Sequence, residues 1–494
     1  GNERNNLPKE LGRLGKIIFK GYFKGYTHQF ETKGVFDTDL GRIITDFSLS
    51  RDADNVPEYA GNITAIQLNL GRLLNQAELG KTSLDGKFAG RGFKLEDLQN
   101  ELDIQISELE FKKYNYQNIA IKGDVSQRVF NGNINVDDRN VSLNFNGKMD
   151  LNPELPVFNF GAQIQKADLF ALNLLKDSIQ VDGELYTNFN GNSLDNIQGS
   201  ISARNICLNR LGENYLIDSI DLVGSGLGNK RSILVHSDLL EGSLKGQYDL
   251  LTLPSYFKSV IKKYIPSLKT QIVAFKPENF ELNLNLKRFE PIGLFVKDVK
   301  LPYGAVLNGK FVSDSNVSTI NGFARLIQYQ KIKANNLIID EATEEKQMNI
   351  FLTSDRIDLT DSIFVKNVNI ANILRNDSLS LNIKLSDKDA VNQLDLNALV
   401  EFSADSLAKL NILPSDVVIN REVWKIQEKA RIRFDGGKTL INNFGLARNN
   451  QLITLDGIIS PNPEEELQVG FKQFNLNTVN PLTKAAGIRL KGEM

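Results

Sequence analysis

Apolar and polar side chains alternate with a two-residue period along most of this chain, and little else in the sequence is available to cover the apolar partners. Phe280, Leu282, Leu284 and Leu286 interleave with Glu281, Asn283, Asn285 and Lys287. Leu379, Leu381, Ile383 and Leu385 interleave with Ser380, Asn382, Lys384 and Ser386, and Leu102, Ile104 and Ile106 with Asp103, Gln105 and Ser107. Period two puts every apolar group of a strand on one sheet face and every polar group on the other. Helical spacing is too brief to hide such a face, so the sheet must curl over it. The expected fold class is mainly β: a long twisted antiparallel sheet curled into an open half-pipe with a hydrophobic lumen and a few short helices. The commoner fate of alternating strands is a sandwich whose walls meet. A single-core sandwich seldom grows far beyond about 250 residues, and this chain has 494.

The connections are short. Asp137-Asp138-Arg139-Asn140 joins Ile134 and Val136 to Val141, Leu143 and Phe145 as a hairpin. Short connections force antiparallel neighbours, because parallel crossovers need about a dozen residues. Roughly 30 strands at about 4.8 Å each would extend roughly 120 to 150 Å if the sheet stayed open.

Helical spacing appears at Leu70, Leu73, Leu74 and Ala77, and again at Phe257, Val260, Ile261 and Tyr264. Pro254, Lys262, Lys263 and Pro266 bracket the second stretch. Shorter helices are expected near Asp168, Pro291, Ser406 and Asn477. A unit of helix, strand ending in a polar residue and Gly, and further strands recurs at irregular length. It passes through Ser83-Leu84-Asp85-Gly86 and Lys94-Leu95-Glu96-Asp97-Leu98, then Gln180-Val181-Asp182-Gly183, Val306-Leu307-Asn308-Gly309 and Arg489-Leu490-Lys491-Gly492. No linker divides the chain, so one continuous β-groove over 1–494 is expected, in degenerate repeats at approximately 1–167, 168–290 and 291–494.

Hydrophobic residues make up 41% and charged residues 24%, with a net charge of −2, which marks a folding chain without the electrostatic footprint of a nucleic-acid binder. No run approaches the roughly 20 apolar residues of a membrane span. Gly1-Asn2-Glu3-Arg4 is not a signal peptide, and Leu490 to Met494 reads as a strand cut short. Together these suggest a fragment whose targeting or anchoring segments lie outside it.

Chemistry-bearing residues are sparse. His28 and His236 are the only histidines, both in strand-like contexts without convergent metal ligands nearby in sequence. Cys207 is the only cysteine and reads as a buried small apolar residue. Gly224-Ser225-Gly226-Leu227-Gly228 lacks the Lys-Ser/Thr of a phosphate loop and reads as a turn. Asn62, Asn140 and Asn316 head glycosylation sequons of the kind an Asn-rich chain contains by chance, and Asp137 with Asp138, like Glu464-Glu465-Glu466, reads as a solvated loop. No catalytic constellation, metal site or cofactor site is expected, and hence no enzyme.

Ser415-Asp416-Val417-Val418-Ile419-Asn420-Arg421-Glu422-Val423-Trp424-Lys425-Ile426, Leu455-Asp456-Gly457-Ile458-Ile459-Ser460 and Phe474-Asn475-Leu476-Asn477-Thr478-Val479-Asn480-Pro481-Leu482 resemble the carboxyl-terminal half of TamB-like translocation and assembly proteins, in their Bacteroidota form. Val157-Phe158-Asn159-Phe160 with Ala167-Asp168-Leu169, and Asp39-Leu40-Gly41, fit the same pattern. The resemblance implies an AsmA-like, repeating β-groove in the periplasm, reaching from the inner membrane towards the outer one. It implies anchoring in the inner membrane by a segment outside this fragment, and a BamA-superfamily outer-membrane barrel (TamA-like) as partner. It supplies no catalytic residues.

The function expected is a non-enzymatic segment of a bridge-like conduit moving phospholipid between inner and outer membrane, with acyl chains sliding along inward-facing side chains. Leu102, Ile104, Ile106, Val141, Leu143, Phe145, Leu282, Leu284, Leu286, Leu379, Leu381 and Ile383 are the lumen positions expected to touch them. Side chains of this kind recognise a partner only by its being apolar. The alternative is a scaffold that assists outer-membrane protein insertion by strand-edge pairing. A β-solenoid adhesin would need regularly spaced acidic or aromatic clusters, and none occurs.

Overall fold

A computed structural model describes residues 9–26, 28–92, 98–151, 154–274, 276–296, 298–315, 317–344, 346–359, 364–386, 391–403, 406–427, 430–435, 437–480 and 491–494. Strands make up 67% of the chain and helices 8%, in one long antiparallel sheet of 31 strands with a few short helices. The mainly β class read from the alternation is the one observed. Two compact units are distinguished, one of Gly1–Ser225 with His236–Asp238, the other of Gly226–Val235 with Leu239–Met494.

The first unit is a meander of β1 (Ile17–Tyr26), β2 (Gln29–Thr38), β3 (Gly41–Arg51), β4 (Pro57–Asn69), β5 (Leu79–Arg91), β6 (Gln99–Phe111), β7 (Tyr114–Ser126), β8 (Val129–Asp137), β9 (Val141–Asp150), β10 (Val157–Asp168), β11 (Gln180–Asn190), β12 (Gln198–Arg210) and β13 (Glu213–Ser225). Each pairs antiparallel with the next. β14 (Arg231–Ser237) contributes residues to both units.

The second unit continues with β15 (Leu240–Gln247), β16 (Asn279–Leu286), β17 (Val299–Lys300), β18 (Ala305–Val312), β19 (Val317–Tyr329), β20 (Ile332–Thr343), β21 (Met348–Asp358), β22 (Phe364–Arg375), β23 (Ser378–Ser386) and β24 (Gln393–Ser403). β16 pairs with β18, and the short β17 pairs with β19. Beyond β24 the meander loosens: β25 (Ser406–Ile412) and β26 (Ser415–Ile419) both pair with β24. They are in effect one strand broken at Leu413 and Pro414, where proline has no N–H for the ladder. β27 (Glu422–Ile426) pairs with β26 and β28 (Arg431–Asp435) with β25; both then pair with β29 (Lys438–Arg448), followed by β30 (Gln451–Ile459) and β31 (Leu467–Lys472).

Among the described residues six strands carry a non-glycine residue in the left-handed region within their length: Gln67, Asn118, Asn205, Asn336, Asn367 and Asn443, with φ between 44° and 55°. Five of the six are Asn, the non-glycine residue that tolerates this region best. In β4 the register shifts between Ala65 and Leu68, and in β29 between Ile441 and Phe444, so the apolar phase steps by three residues instead of two. Such bulges bend the strand and increase its twist. Asn336 and Asn118 also tie the bulge to the next strand, donating from Nδ2 to Asp355 Oδ2 at 2.6 Å and to the Asp137 carbonyl at 3.2 Å.

The helices are shorter than the spacing predicts. α1 covers only Leu70–Leu74; Asn69 caps its start by accepting from the Arg72 N–H at 2.9 Å, and Asn75 ends it at φ 58°, before Ala77. α2 spans Leu253–Tyr264 with proline in its first turn, and α3 spans Glu290–Gly293. After Asp168 the chain makes turns and no helix, held by Asp168 Oδ1 accepting from the Ala171 N–H at 3.0 Å. The helix expected near Asn477 is a 3-10 turn at Leu476–Val479. The one expected near Ser406 is instead β25, because Ala408, Leu410 and Ile412 also fit a period of two and the ladder to β24 and β28 satisfies the backbone. Lys94 to Asp97, Asn316, Pro481, Leu482, Arg489 and Leu490 lie outside the described residues.

Candidate functional site: the apolar sheet face

Strand register aligns the apolar face into rows that run from strand to strand. In the first unit one row passes through Ile63, Gly86, Ile104, Ile121, Ile134, Phe145, Ala162, Leu185, Ala203 and Ile220, from β4 to β13. Nine steps of about 4.8 Å make it roughly 43 Å long. The row beside it passes through Phe47, Gly61, Phe88, Leu102, Gly123, Gly132, Gly147, Phe160, Thr187, Ile201 and Leu222. Three consecutive strands thus present glycine there. A Cβ on Gly123 would lie 2.3 Å from the Asn131 carbonyl oxygen, and one on Gly132 the same distance from that of Lys122, so neither site admits a side chain. Aromatic rings border this bare patch, with Phe145 4.8 Å from Phe160 and 6.3 Å from Phe130 between centroids.

In the second unit the equivalent row is Leu284, Leu307, Gly322, Ile339, Leu352, Ile370, Ile383 and Leu396, seven steps or roughly 34 Å. The adjacent row is Leu282, Gly309, Ile320, Glu341, Ile350, Asn372, Leu381 and Ala398. The apolar lane is therefore interrupted by one acid and one amide.

The expected lumen residues fall on these faces. The first unit brings together Leu102, Ile104, Ile106, Val141, Leu143 and Phe145, and the second Leu282, Leu284, Leu286, Leu379, Leu381 and Ile383. None is exposed: Ile106, Val141, Phe145 and Leu286 retain 8–9% of their accessible surface, and the other eight are half-buried. Their polar neighbours Asp103, Gln105, Asn144, Glu281, Asn283, Asn285, Ser380 and Lys384 are exposed. A filled sandwich interior would close the central positions; here most of them remain partly accessible.

Short segments cover the face at the strand ends. Leu14, Leu40, Ala65 and Leu68 form one cluster with Leu73 of α1. Leu172, in the turns after Asp168, packs with Ile106, Ile119, Val136 and Val141. In the second unit Tyr264 of α2 packs on Met348 and Leu374, with Leu379 alongside. Tyr256 and Phe257 meet the stacked pair Phe280 and Phe311, whose centroids are 4.7 Å apart. The stripe of α2 differs from the one expected: Tyr256 is buried at 2% and Ile261 is 41% exposed. Trp424, fully buried, packs with Ile419 and Phe474.

Two buried carboxyls were not legible in the sequence. Glu278, fully buried, accepts from the Asp249 N–H at 3.0 Å and the Thr252 hydroxyl at 3.3 Å, fixing the turn that leads into α2. Glu341, 8% exposed, accepts from the Ser318 hydroxyl at 3.0 Å. Burial raises both above the usual carboxylate range, and burial first, then the charges of Glu278 and Glu341, pushes Tyr256 up to about 12.

The remaining candidates are dispersed. His28 lies in the β1–β2 turn rather than in a strand, and His236 is an exposed residue of β14; no metal-holding group of acids, Cys or His occurs among the described residues. Cys207 is not a core residue. It is half-buried on the polar face, in register with Asp182 and Leu216, and burial followed by the nearby Asp182 raises its thiol pKa. Asp138 is buried where a solvated loop was expected, because its carboxylate organises the turn by accepting from Tyr114 Oη at 2.6 Å and from the N–H groups of Gln117 at 3.0 Å and Asn140 at 2.8 Å. Glu465 is half-buried and held below the usual carboxylate range by Lys438.

No protein-family model, no curated protein and no solved structure matches this chain.

Proposed function

We propose that the chain is a non-enzymatic, periplasmic segment of a bridge-like, TamB-like conduit that carries phospholipid between inner and outer membrane along its apolar sheet face. The observation that carries this reading is the alignment of apolar side chains and glycines into rows roughly 43 Å and 34 Å long that remain partly accessible. Moving a 16-carbon acyl chain into water costs about 12 kcal/mol at about 0.8 kcal/mol per methylene. A face that keeps the tail covered while the head group stays in solvent removes most of that barrier and needs no reactive group. Anchoring in the inner membrane and docking to a TamA-like barrel belong to the same proposal. Organic extraction of the purified chain followed by mass spectrometry tests it: co-purifying phospholipid is the expected result, and a lipid-free chain that takes up none from anionic vesicles contradicts it.

A specific feature favours the second reading, an assembly scaffold for outer-membrane proteins. β1 pairs with β2 along its length and leaves Ile17, Phe19, Tyr22 and Phe23 between 39% and 55% exposed, an edge on which an added strand finds apolar contacts. Crosslinks from position 20 to a nascent barrel strand would support it. Crosslinks confined to the lumen positions would favour the conduit.

A further inference from the structure

α2 lies across apolar surface that the neighbouring strands leave accessible, and what lies beneath it is unusual. Its aromatic end rests on Phe280 and Phe311, and its far end is latched: the Asp377 N–H donates to the Tyr264 carbonyl at 2.9 Å, the Ser267 N–H donates to Asp377 Oδ1 at 2.8 Å, and Tyr264 Oη donates to the Glu344 carbonyl at 3.0 Å. Between these contacts sits Glu341, in register with Ile320 and Ile350. Its Oε1 accepts from Ser318, while Oε2 is buried without a hydrogen-bond partner among the described residues. Asn372, in register with Ile350, likewise has an unpartnered buried Oδ1. A cavity of about 110 Å³ lies between α2 and the sheet, lined by Tyr256, Ser259, Val260, Lys263, Tyr264 and by Ser318, the residue that donates to Glu341.

A carboxyl in such a place is tolerated when protonated and disfavoured when ionised, because no cation among the described residues pairs with it and water reaches it poorly. The titratable groups that face it are Tyr256 and Tyr264 of α2; Glu278, ahead of β16, acts on the same Tyr256, while Lys263 of α2 and Glu344 beyond β20 are exposed. Lifting α2 would let water reach the carboxylate.

We propose that α2 is a proton-dependent plug, seated on the apolar face while Glu341 is protonated and released when Glu341 ionises. Burial raises the Glu341 pKa in the seated form, whereas in the released form it returns towards its ordinary value of about 4.3. Seating is therefore fully stabilised below about 4.3 and is lost as pH rises through the raised value. Across that window the ratio of seated to released forms falls about tenfold per pH unit. The plug goes beyond the conduit reading and does not depend on it: if lipid does travel here, release vacates the Phe280 and Phe311 seat for a single alkyl chain.

Hydrogen exchange on the full chain without lipid, corrected for intrinsic rates, decides it. Amide protection over 253–264 should fall in the wild type as pH rises above the ordinary carboxylate range, and should stay flat and high in the isosteric Glu341→Gln. Asp377→Ala should lower protection by a similar factor at every pH, separating the latch from the proton. Protection over 451–459 reports whether each variant is folded. Wild-type protection over α2 that does not change with pH, or a Gln variant that follows the wild type, overturns the proposal. Because no lipid is present, that failure would leave the conduit reading standing.

Discussion

Leu284→Asp separates a half-pipe from a filled interior. Leu284 is half-buried, with Leu307 on one side in register and Gly242 on the other, where a Cβ would stand 3.7 Å from Leu284 Cδ1. Fully burying a leucine contributes about 1.5–3 kcal/mol, so losing a half-buried one costs about 1–1.5 kcal/mol. The glycine leaves room for water around the carboxylate, so no large desolvation penalty is added. Phe311→Asp, at a site 3% exposed beneath α2, should instead cost several kcal/mol because its charge is sealed in. Ligand binding should respond in the opposite order of severity to stability at position 284. About four methylenes pressed against a hydrated carboxylate lose about 0.8 kcal/mol each, about 3 kcal/mol in all, which is roughly a hundredfold in affinity. Urea unfolding followed by circular dichroism measures the first quantity, and titration with a fluorescent acyl probe the second. A loss of more than about 4 kcal/mol of stability at Leu284 would refute the reasoning, as would unchanged probe affinity in a folded variant.

Three further expectations follow from the geometry. Asn205→Gly should be nearly neutral and Asn205→Val should destabilise by about 1–2 kcal/mol, since the left-handed backbone repels a branched Cβ; equal effects in urea melts would dismiss the bulge argument. Trp424→Ala should cost about 3–5 kcal/mol and loosen the contacts of Ile419 and Phe474, seen as lost amide protection over 415–426 with 30–51 unaffected. Cys207 should alkylate more slowly than a free thiol at neutral pH, with its rate rising only above the ordinary thiol range, because burial and Asp182 disfavour the thiolate; reaction at the free-thiol rate in the native state would show the site to be open.

The fold was legible where the period of two was unbroken. Leu102, Ile104 and Ile106 declare a face by themselves, and the Asp137 to Asn140 turn declares the hairpin beside them. What was hidden is non-local. Asn118, Asn336 and Asn367 look like ordinary polar-face residues, yet each adopts the left-handed backbone that bends its strand. The three-residue step from Ala65 to Leu68 was the available signal. Ser406 to Ile412 fits both helix and strand over so few residues, and only pairing with β24 and β28 decides between them. Glu341 obeys no alternation rule at all: a charged residue at an apolar parity position resembles a lapse of the pattern until Tyr256 and Tyr264 of α2, remote in sequence, are seen to face it.

The central claim is that one parity of each strand faces a space that hydrocarbon occupies. A photoreactive side chain placed in turn at positions 281 to 286, in the full-length protein in cells, tests this most directly. Lipid adducts at 282, 284 and 286 with none at 281, 283 and 285 are the predicted result. Adducts independent of parity, or only protein adducts at the even positions, would contradict it.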